Sequence, residues 1–202
     1  MRSIALLALV GLAMQVQSCA PGPSTLKTPF IPPEVATDTL GPRYLRNVSQ
    51  IDFWDRISSV NRATNFAWWD SSGTVRQMYD YYDKVVVLSF FATWSPPALT
   101  QLPVLDSAIA SGDTNTLFIG IAMREGVTAG KAVLRLDSFV RARKIGYPVL
   151  IGSRDFGFTY GGVDVVPMTF VITRRRKIDA TFEGFVSTSR LLEAIAKAEA
   201  KH

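Results

Sequence analysis

The chain has 202 residues, of which 48% are hydrophobic and 19% charged, a composition typical of one globular domain with short appendages. A single Cys and a single His exclude an intramolecular disulfide and most metal sites. The net charge of +5 is spread over several clusters and comes without a nucleic-acid-binding motif. We therefore expect no nucleic-acid partner, no metal and no cofactor.

Residues 1–18 are predicted to form a secretory signal peptide. Arg2 supplies a positive charge, and the apolar run over residues 4–16 is shorter than the about 20 residues that span a bilayer. The segment ends in Val16-Gln17-Ser18-Cys19, which resembles the lipobox of bacterial lipoproteins. This resemblance implies that Cys19 is lipidated and becomes the new N-terminus. The alternative is an ordinary signal peptide with a coincidental Cys.

Residues 19–42 are predicted to form a tether between that lipid and the folded domain. Six prolines occur in this stretch, and each fixes φ and removes a backbone donor. The tether is therefore expected to be extended and semi-rigid, at about 3.1 Å per residue. On this hypothesis the protein is a secreted bacterial lipoprotein, anchored to the membrane by its N-terminal lipid and facing the periplasm or the cell surface.

Residues 43–62 are predicted to be a short helical segment that leads into the domain. Apolar residues recur roughly three or four positions apart, which indicates a helix with one apolar side; they are Leu45, Val48, Ile51, Phe53 or Trp54, and Ile57. That side packs either on the domain or against a partner.

Two long apolar runs predict the centre of a sheet. Val85–Phe91 is rich in β-branched and aromatic residues, as expected of a strand buried on both faces, and Thr116–Met123 is similar. A helix that opens at Pro96-Pro97 separates them, which implies a right-handed parallel crossover. Its predicted inner face is Leu99, Leu102, Leu105 and Ile109, and Pro103 is expected to kink it.

The remaining elements complete an α/β layered domain. A second helix is predicted over residues 129–145, with its apolar residues inward and Gly146 as its C-cap. Residues 166–173 and 177–185 then predict an antiparallel pair of strands. A final helix begins after Ser187, a plausible N-cap. The inward residues of the two helices are Val133, Leu136 and Val140 in the first, and Leu191, Leu192 and Ile195 in the second.

The turn between the last two strands is unusually basic. It carries Arg174, Arg175, Arg176 and Lys177 in succession. Such a run is either an exposed, solvated segment or a contact for an acidic partner or a phosphate headgroup.

Five stretches with preserved spacing carry a family resemblance. They are Ala63-Thr64-Asn65-Phe66, Ser72-Gly73-Thr74-Val75, residues 84–94, Tyr160-Gly161-Gly162-Val163 and Val166-Pro167-Met168-Thr169-Phe170. Together they resemble the thioredoxin-like fold, specifically the membrane-anchored thiol-disulfide oxidoreductases of the TlpA/ResA type. The resemblance implies a three-layer α/β sandwich over residues 63–202, with a mixed sheet, a parallel β-α-β unit and a C-terminal β-hairpin plus helix. It also implies a cis bond between Val166 and Pro167.

The chain departs from this family at the active site. Where the family has Cys-x-Pro-Cys, this sequence has Ser95-Pro96-Pro97-Ala98. A serine hydroxyl is far less acidic than a thiol and cannot form a disulfide, and alanine is inert. Ser95 is explained as a helix N-cap followed by proline. Serine catalysis would need a base, and the single His is the terminal His202.

The sequence therefore predicts a redox-inactive thioredoxin-like lipoprotein that binds or scaffolds an envelope protein partner. The alternative is a TlpA-like thiol-disulfide oxidoreductase, if the sequence is a form in which the cysteines of positions 95 and 98 were substituted. The predicted binding groove lies between the helix start and the cis-proline, unless the segment of residues 43–60 covers it. Its residues are Trp94, Ser95, Pro96, Pro97, Val166, Pro167 and Met168.

Overall fold

The computed structural model describes residues 42–55, 61–111, 115–126 and 129–201. The predicted signal peptide, the lipid attachment at Cys19 and the tether up to residue 41 lie outside the described residues. Among the described helices, none is both long and apolar enough to cross a membrane.

The described residues form nine strands and four α-helices. The strands are β1 (Tyr44–Leu45), β2 (Val48–Trp54), β3 (Phe66–Trp69), β4 (Val75–Gln77), β5 (Val85–Phe91), β6 (Thr116–Met123), β7 (Val149–Gly152), β8 (Met168–Ile172) and β9 (Ile178–Glu183). The helices are α1 (Pro96–Ala110), α2 (Ala129–Arg143), α3 (Arg154–Phe158) and α4 (Thr188–Glu199). A short 3-10 helix follows β4 at Met78–Tyr81.

All nine strands belong to one mixed sheet. Its order is β4-β3-β2-β7-β6-β5-β8-β9, with β1 paired to β2. Strands β2, β7, β6 and β5 are mutually parallel, whereas β8 and β9 are antiparallel additions. We call the edge at which β5, β6 and β7 end the carboxyl edge, and the edge at which they begin the amino edge.

The core has two layers, one on each face of the sheet, and β5 is therefore buried along its whole length. One side of β5 packs against α1, α2 and α4. Strands β5, β6 and β7 follow one another across the sheet in the same direction, so the right-handed crossovers between them place α1 and α2 on the same face. The other side packs against α3 and the aromatic residues of β3. The predicted α/β sandwich with a parallel β-α-β unit and a C-terminal hairpin plus helix is confirmed.

The helical segment predicted over residues 43–62 is wrong for its described residues, 43–55 and 61–62. Residues 44–54 form β1 and β2 instead, and β2 pairs with β3 on one side and β7 on the other. The helix-like spacing arises from the turn between β1 and β2 and from a register shift between Ile51 and Phe53, which breaks the strict alternation of a strand. Residues 43–55 do not cover the predicted groove, since β7 and β6 separate β2 from β5.

Two details of the helices also differ from the sequence predictions. Ile109 is 38% exposed, whereas Ala98, Leu102 and Leu105 form the buried side of α1. Pro103 lies on the exposed side of α1, and the kink expected there stays a prediction. The end of α2 is not capped by Gly146, because Lys144 takes the left-handed conformation there, with φ of 55°.

Candidate functional site

The predicted site lies at the carboxyl edge of the sheet. The chain leaves β5 at Phe91, turns through residues 92–95 and enters α1 at Pro96. The start of β8 lies beside this turn, because Phe90 pairs with Met168. The peptide bond between Val166 and Pro167 is cis, as predicted from the sequence. The fold thus brings the helix start and the cis-proline together.

Ser95 occupies the N-cap position of α1, as predicted, but its side chain makes no capping hydrogen bond. The residue is held through its backbone instead: its N–H donates to the Ala92 carbonyl, and its own carbonyl accepts from Leu99 N–H, both at 3.1 Å. Ser95 is 6% exposed, and Ala98, one turn further along, is fully buried in the helical core. Both positions are therefore largely buried, and Ser95 is only slightly more exposed than Ala98.

A buried carboxylate organises the turn before α1. Glu125, two residues after the end of β6, accepts the backbone N–H of Thr93 at 3.0 Å and its hydroxyl at 2.6 Å. Arg135 of α2 donates to the same carboxylate at 2.6 Å and forms an ion pair with it. Both carboxylate oxygens therefore have donors, and Glu125 is positioned to stabilise the turn.

Trp94 presents its ring to solvent from this turn. Its side chain is 56% exposed, and the indole Nε1 donates to the Arg124 carbonyl at 3.0 Å. Arg124 has a φ of 56° and pairs with Asp164 at 3.2 Å. Because the indole is tied at one end, the ring is held as a fixed apolar surface.

The cis-proline side contributes a free backbone segment. The Pro167 carbonyl accepts from Gly184 N–H at 2.8 Å, whereas Val166, within the described residues, has no backbone hydrogen bond. Val166 is half-buried, and Met168 is buried in the core. The interpretation of Met168 as a groove surface is therefore wrong, since every residue of β8 is buried and the Met168 side chain packs in the same core cluster as Phe90.

Two exposed apolar residues at the same edge were missed in the sequence. Val165 is 54% exposed and Phe185 57% exposed, and they flank the strand ends at Pro167 and Gly184. At this edge Trp94, Pro96, Pro97, Val165 and Phe185 are exposed and Val166 is half-buried, whereas Ser95 and Pro167 of the predicted groove are buried, as Met168 is. The role of Glu125 had a signal in the sequence. Polar residues that closely follow parallel strands meet at one edge of a sheet, and Glu125 follows β6, so it could have been predicted to lie near the turn after β5.

Among the described residues, no side chain hydrogen-bonds to the Ser95 hydroxyl, and the Glu125 carboxylate is engaged by Thr93 and Arg135. Gln101, fully buried on α1, has both ends of its amide paired with the Val186 backbone. Burial raises the pKa of the Tyr160 hydroxyl far above its usual range, more than the nearby Arg176 and the contact with the Thr64 carbonyl lower it, so this group stays protonated. No cluster of three metal-binding side chains occurs in the part of the chain that the structure describes.

The fold and the site define a thioredoxin-like domain in which the helix start and the cis-proline have kept their places. The chain belongs to the AhpC/TSA family, whose family model matches residues 60–181.

The relatives that it resembles are thiol-disulfide oxidoreductases. ResA, a thiol-disulfide oxidoreductase of Geobacillus thermodenitrificans (strain NG80-2), is 26% identical over 133 residues, which cover 63% of this chain and 71% of that protein. The sequence resemblance to the TlpA/ResA type is thereby confirmed. In this chain Ser95 and Ala98 stand at the positions where the family resemblance places the two thiols.

Solved structures agree with this assignment of the fold. A thiol:disulfide interchange protein of the thioredoxin family from Chlorobium tepidum TLS superposes with a TM-score of 0.59 at 20% identity, covering 70% of this chain and 98% of that one. A secreted thiol-disulfide isomerase from Corynebacterium glutamicum gives a TM-score of 0.53 at 21% identity, covering 62% and 77%.

Proposed function

We propose that this protein binds an extended polypeptide at the carboxyl edge without performing thiol chemistry, as a binding or scaffolding subunit of an envelope assembly. One observation carries the proposal: the start of α1 and the cis-proline lie beside each other, but the residues at the two thiol positions, Ser95 and Ala98, have no thiol. Dithiol exchange needs one thiolate to attack and a second thiol to resolve the mixed disulfide. Ser95 and Ala98 supply neither.

The surface that supports binding is independent of the thiols. Val166 has no backbone hydrogen bond within the described residues, so an extended segment could pair with it as an added strand. Trp94 and Phe185 are exposed on either side of it, where they provide apolar contact for side chains of that segment. The Glu125–Thr93–Arg135 interaction holds the Trp94 turn in place before any partner arrives, which lowers the ordering cost of binding.

A second candidate is thiol-disulfide oxidoreduction, which the family match and the activities of the relatives favour. It requires cysteines at positions 95 and 98, so it applies only if the natural protein carries them and this sequence is a substituted form. Sequencing the natural gene at these two positions discriminates the two candidates directly.

The proposed location is the outside of the cytoplasmic membrane, with the chain held by a lipid on Cys19. The apolar run over residues 4–16 and the lipobox-like ending support export and lipidation. The secreted relative from Corynebacterium glutamicum supports export. Mass spectrometry of the mature N-terminal peptide tests the modification, and an unmodified Cys19 or cleavage elsewhere contradicts it.

The redox part of the proposal is tested by insulin reduction with a thiol reductant present. The purified protein is expected to give no turnover above the reductant alone, because a serine hydroxyl does not exchange with disulfides. Turnover above that background, in a preparation free of other oxidoreductases, would contradict it.

The binding part is tested by photo-crosslinking in native membranes. A photo-crosslinking amino acid in place of Pro96 is expected to trap a discrete polypeptide adduct, and Trp94→Ala is expected to abolish that adduct. The matched control places the same amino acid at Ile109, which is exposed at the far end of α1, where no such adduct should form. An adduct that survives Trp94→Ala in a folded variant, or that forms equally from position 109, rules out the groove.

A further inference from the structure

The basic turn between β8 and β9 lies at the opposite edge of the sheet from the groove. Strand β8 is antiparallel to β5, with Phe90 beside Met168 at the carboxyl edge and Val86 beside Ile172 near the amino edge. The turn that follows Ile172 therefore projects from the amino edge. At about 3.4 Å per residue, β8 separates it from the cis-proline by the length of the sheet.

Five cationic residues meet at this turn. Arg62 forms a β-bridge with Lys177, which adds a fifth cation to the run of residues 174–177. None of the five has an ion pair with a carboxylate among the described residues. Asp55 is linked to them only indirectly, because it accepts from the Tyr79 hydroxyl at 3.4 Å and the Arg176 guanidinium lies 4.2 Å from the centre of the Tyr79 ring. The turn is therefore a concentrated, weakly compensated positive charge.

Other elements add cations to the amino edge. Helix α2 ends there with Arg143 and Lys144, next to the start of β7. Helix α4 returns from the carboxyl edge and ends near Asp179 of β9, which pairs with Lys201; Lys197 lies in its last turn. The exposed carboxylate of Asp83, two residues before β5, also lies at this edge, so its charge is not uniformly positive.

The turn does not form a pocket for a single anion. A phosphate-binding loop directs free backbone N–H groups at its ligand, but here Arg176 N–H donates to the Thr173 carbonyl at 2.8 Å and Lys177 N–H to the Thr173 hydroxyl at 3.2 Å. Arg62, Arg175 and Lys177 are exposed, whereas Arg174 and Arg176 are half-buried. The exposed cations are not gathered around one pocket, and this arrangement fits a broad surface that carries many negative charges.

We propose that the turn of residues 174–177, with Arg62, docks on a membrane surface of anionic phospholipid headgroups. A lipid surface is favoured over an acidic protein because the turn itself carries no aromatic or aliphatic anchor of the kind that dominates protein interfaces. A polybasic patch is also the second signal that complements an N-terminal lipid. The proposal does not depend on the function of the groove, and it leaves the groove facing away from the membrane.

The test uses the chain from Cys19 to His202 without a lipid, so that binding does not come from an acyl anchor. Sedimentation with phosphatidylcholine vesicles is compared with sedimentation with vesicles in which about one third of the lipid is phosphatidylglycerol. The protein is expected to bind the anionic vesicles at low salt, to be released at high salt, and to ignore the neutral ones. Neutralising the exposed cations in Arg62→Gln/Arg175→Gln/Lys177→Gln should lower the partition coefficient about a hundredfold, since each cation near such a surface contributes about fivefold.

The matched control removes the same charge at the carboxyl edge, with Lys131→Gln/Arg154→Gln/Arg190→Gln, and should retain most of the binding. Circular dichroism and thermal unfolding verify that both variants are folded. Equal losses in the two variants would show that only net charge matters, and absence of binding to anionic vesicles would remove the membrane as partner; either result overturns the proposal. Displacement by millimolar inorganic phosphate at matched ionic strength would indicate a discrete anion site and also overturns it.

Discussion

Glu125 shows how one residue holds the site together. Its side chain is 4% exposed, whereas that of its partner Arg135 is 50% exposed. Water can therefore solvate the Arg135 guanidinium, but the Glu125 carboxylate needs hydrogen-bond donors from the protein. A buried charge is tolerated only when donors replace the water it has lost. Thr93 supplies two such donors and Arg135 a third. This one carboxylate therefore ties the turn before α1 to α2.

Glu125→Gln should lower the free energy of unfolding by about 1–3 kcal/mol, the usual cost of leaving a buried polar group with an unsuitable partner. The amide cannot accept at both of its ends, so at least one contact with Thr93 or Arg135 is lost. Urea denaturation followed by circular dichroism measures the change.

The control for this variant is Asp164→Asn, which removes an ion pair at the same edge. The Asp164 side chain is 70% exposed, and exposed pairs contribute about 0–1 kcal/mol. A loss as large as that of Glu125→Gln would show that burial does not distinguish the two carboxylates, and our account of Glu125 would be wrong.

At the scale of the element, the end of α2 is built around an unusual residue. Lys144 has a φ of 55°, the next N–H, of Ile145, donates to the Val140 carbonyl at 3.0 Å, and Lys144 N–H donates to the Arg141 carbonyl at 3.1 Å. This is the Schellman pattern, in which glycine is the usual residue at the left-handed position. The lysine adopts this conformation at a cost in backbone strain of about 1 kcal/mol.

Lys144→Gly is expected to stabilise the protein by up to about 1 kcal/mol, because glycine adopts positive φ without a steric penalty. Gly146→Ala provides the discriminating control: a Cβ at that position meets nothing within 4 Å and its φ is not in the left-handed region, so the change should be neutral or slightly stabilising. Thermal unfolding of both variants measures the effect. If Gly146→Ala destabilises the protein, then Gly146 and not Lys144 caps α2, and our account is wrong.

At the scale of the whole molecule, the fold places the start of α1 beside the cis-proline that precedes β8. Positions 95 and 98 lie one turn apart at the start of α1, and both are largely buried. The chain has Ser and Ala at these positions, where the family resemblance places cysteines.

Ser95→Cys/Ala98→Cys is expected to form a reversible intramolecular disulfide and to acquire insulin-reductase activity above that of the unaltered chain. The N-terminus of α1 stabilises a thiolate at position 95, and position 98 places the resolving thiol within reach. Ser95→Cys alone is the matched control, and it should form mixed disulfides without turnover. A folded double variant that forms no internal disulfide would show that the geometry has also been lost.

Features encoded in short stretches could be predicted from the sequence. Strands β5 and β6 were predicted with their correct bounds because a continuous β-branched and aromatic run has few alternatives to a buried strand. The β8–β9 hairpin, the cis bond at Pro167 and the start of α1 were also predicted, since local motifs specify them. The absence of thiols at positions 95 and 98 could be predicted from the residue types alone.

Only the tertiary structure decided the features that depend on distant partners. The stretch over residues 44–54 has an apolar spacing compatible with a helix, and it forms β1 and β2 because Val149 and Trp68 lie on either side to pair with it. Met168 turns inward because of its register against Phe90, and Glu125 gains its role from residues 32 and 10 positions away along the chain. Hydrogen-bond partners brought together by folding have no signature in the spacing of a single segment, which is the physical reason that such contacts need the structure.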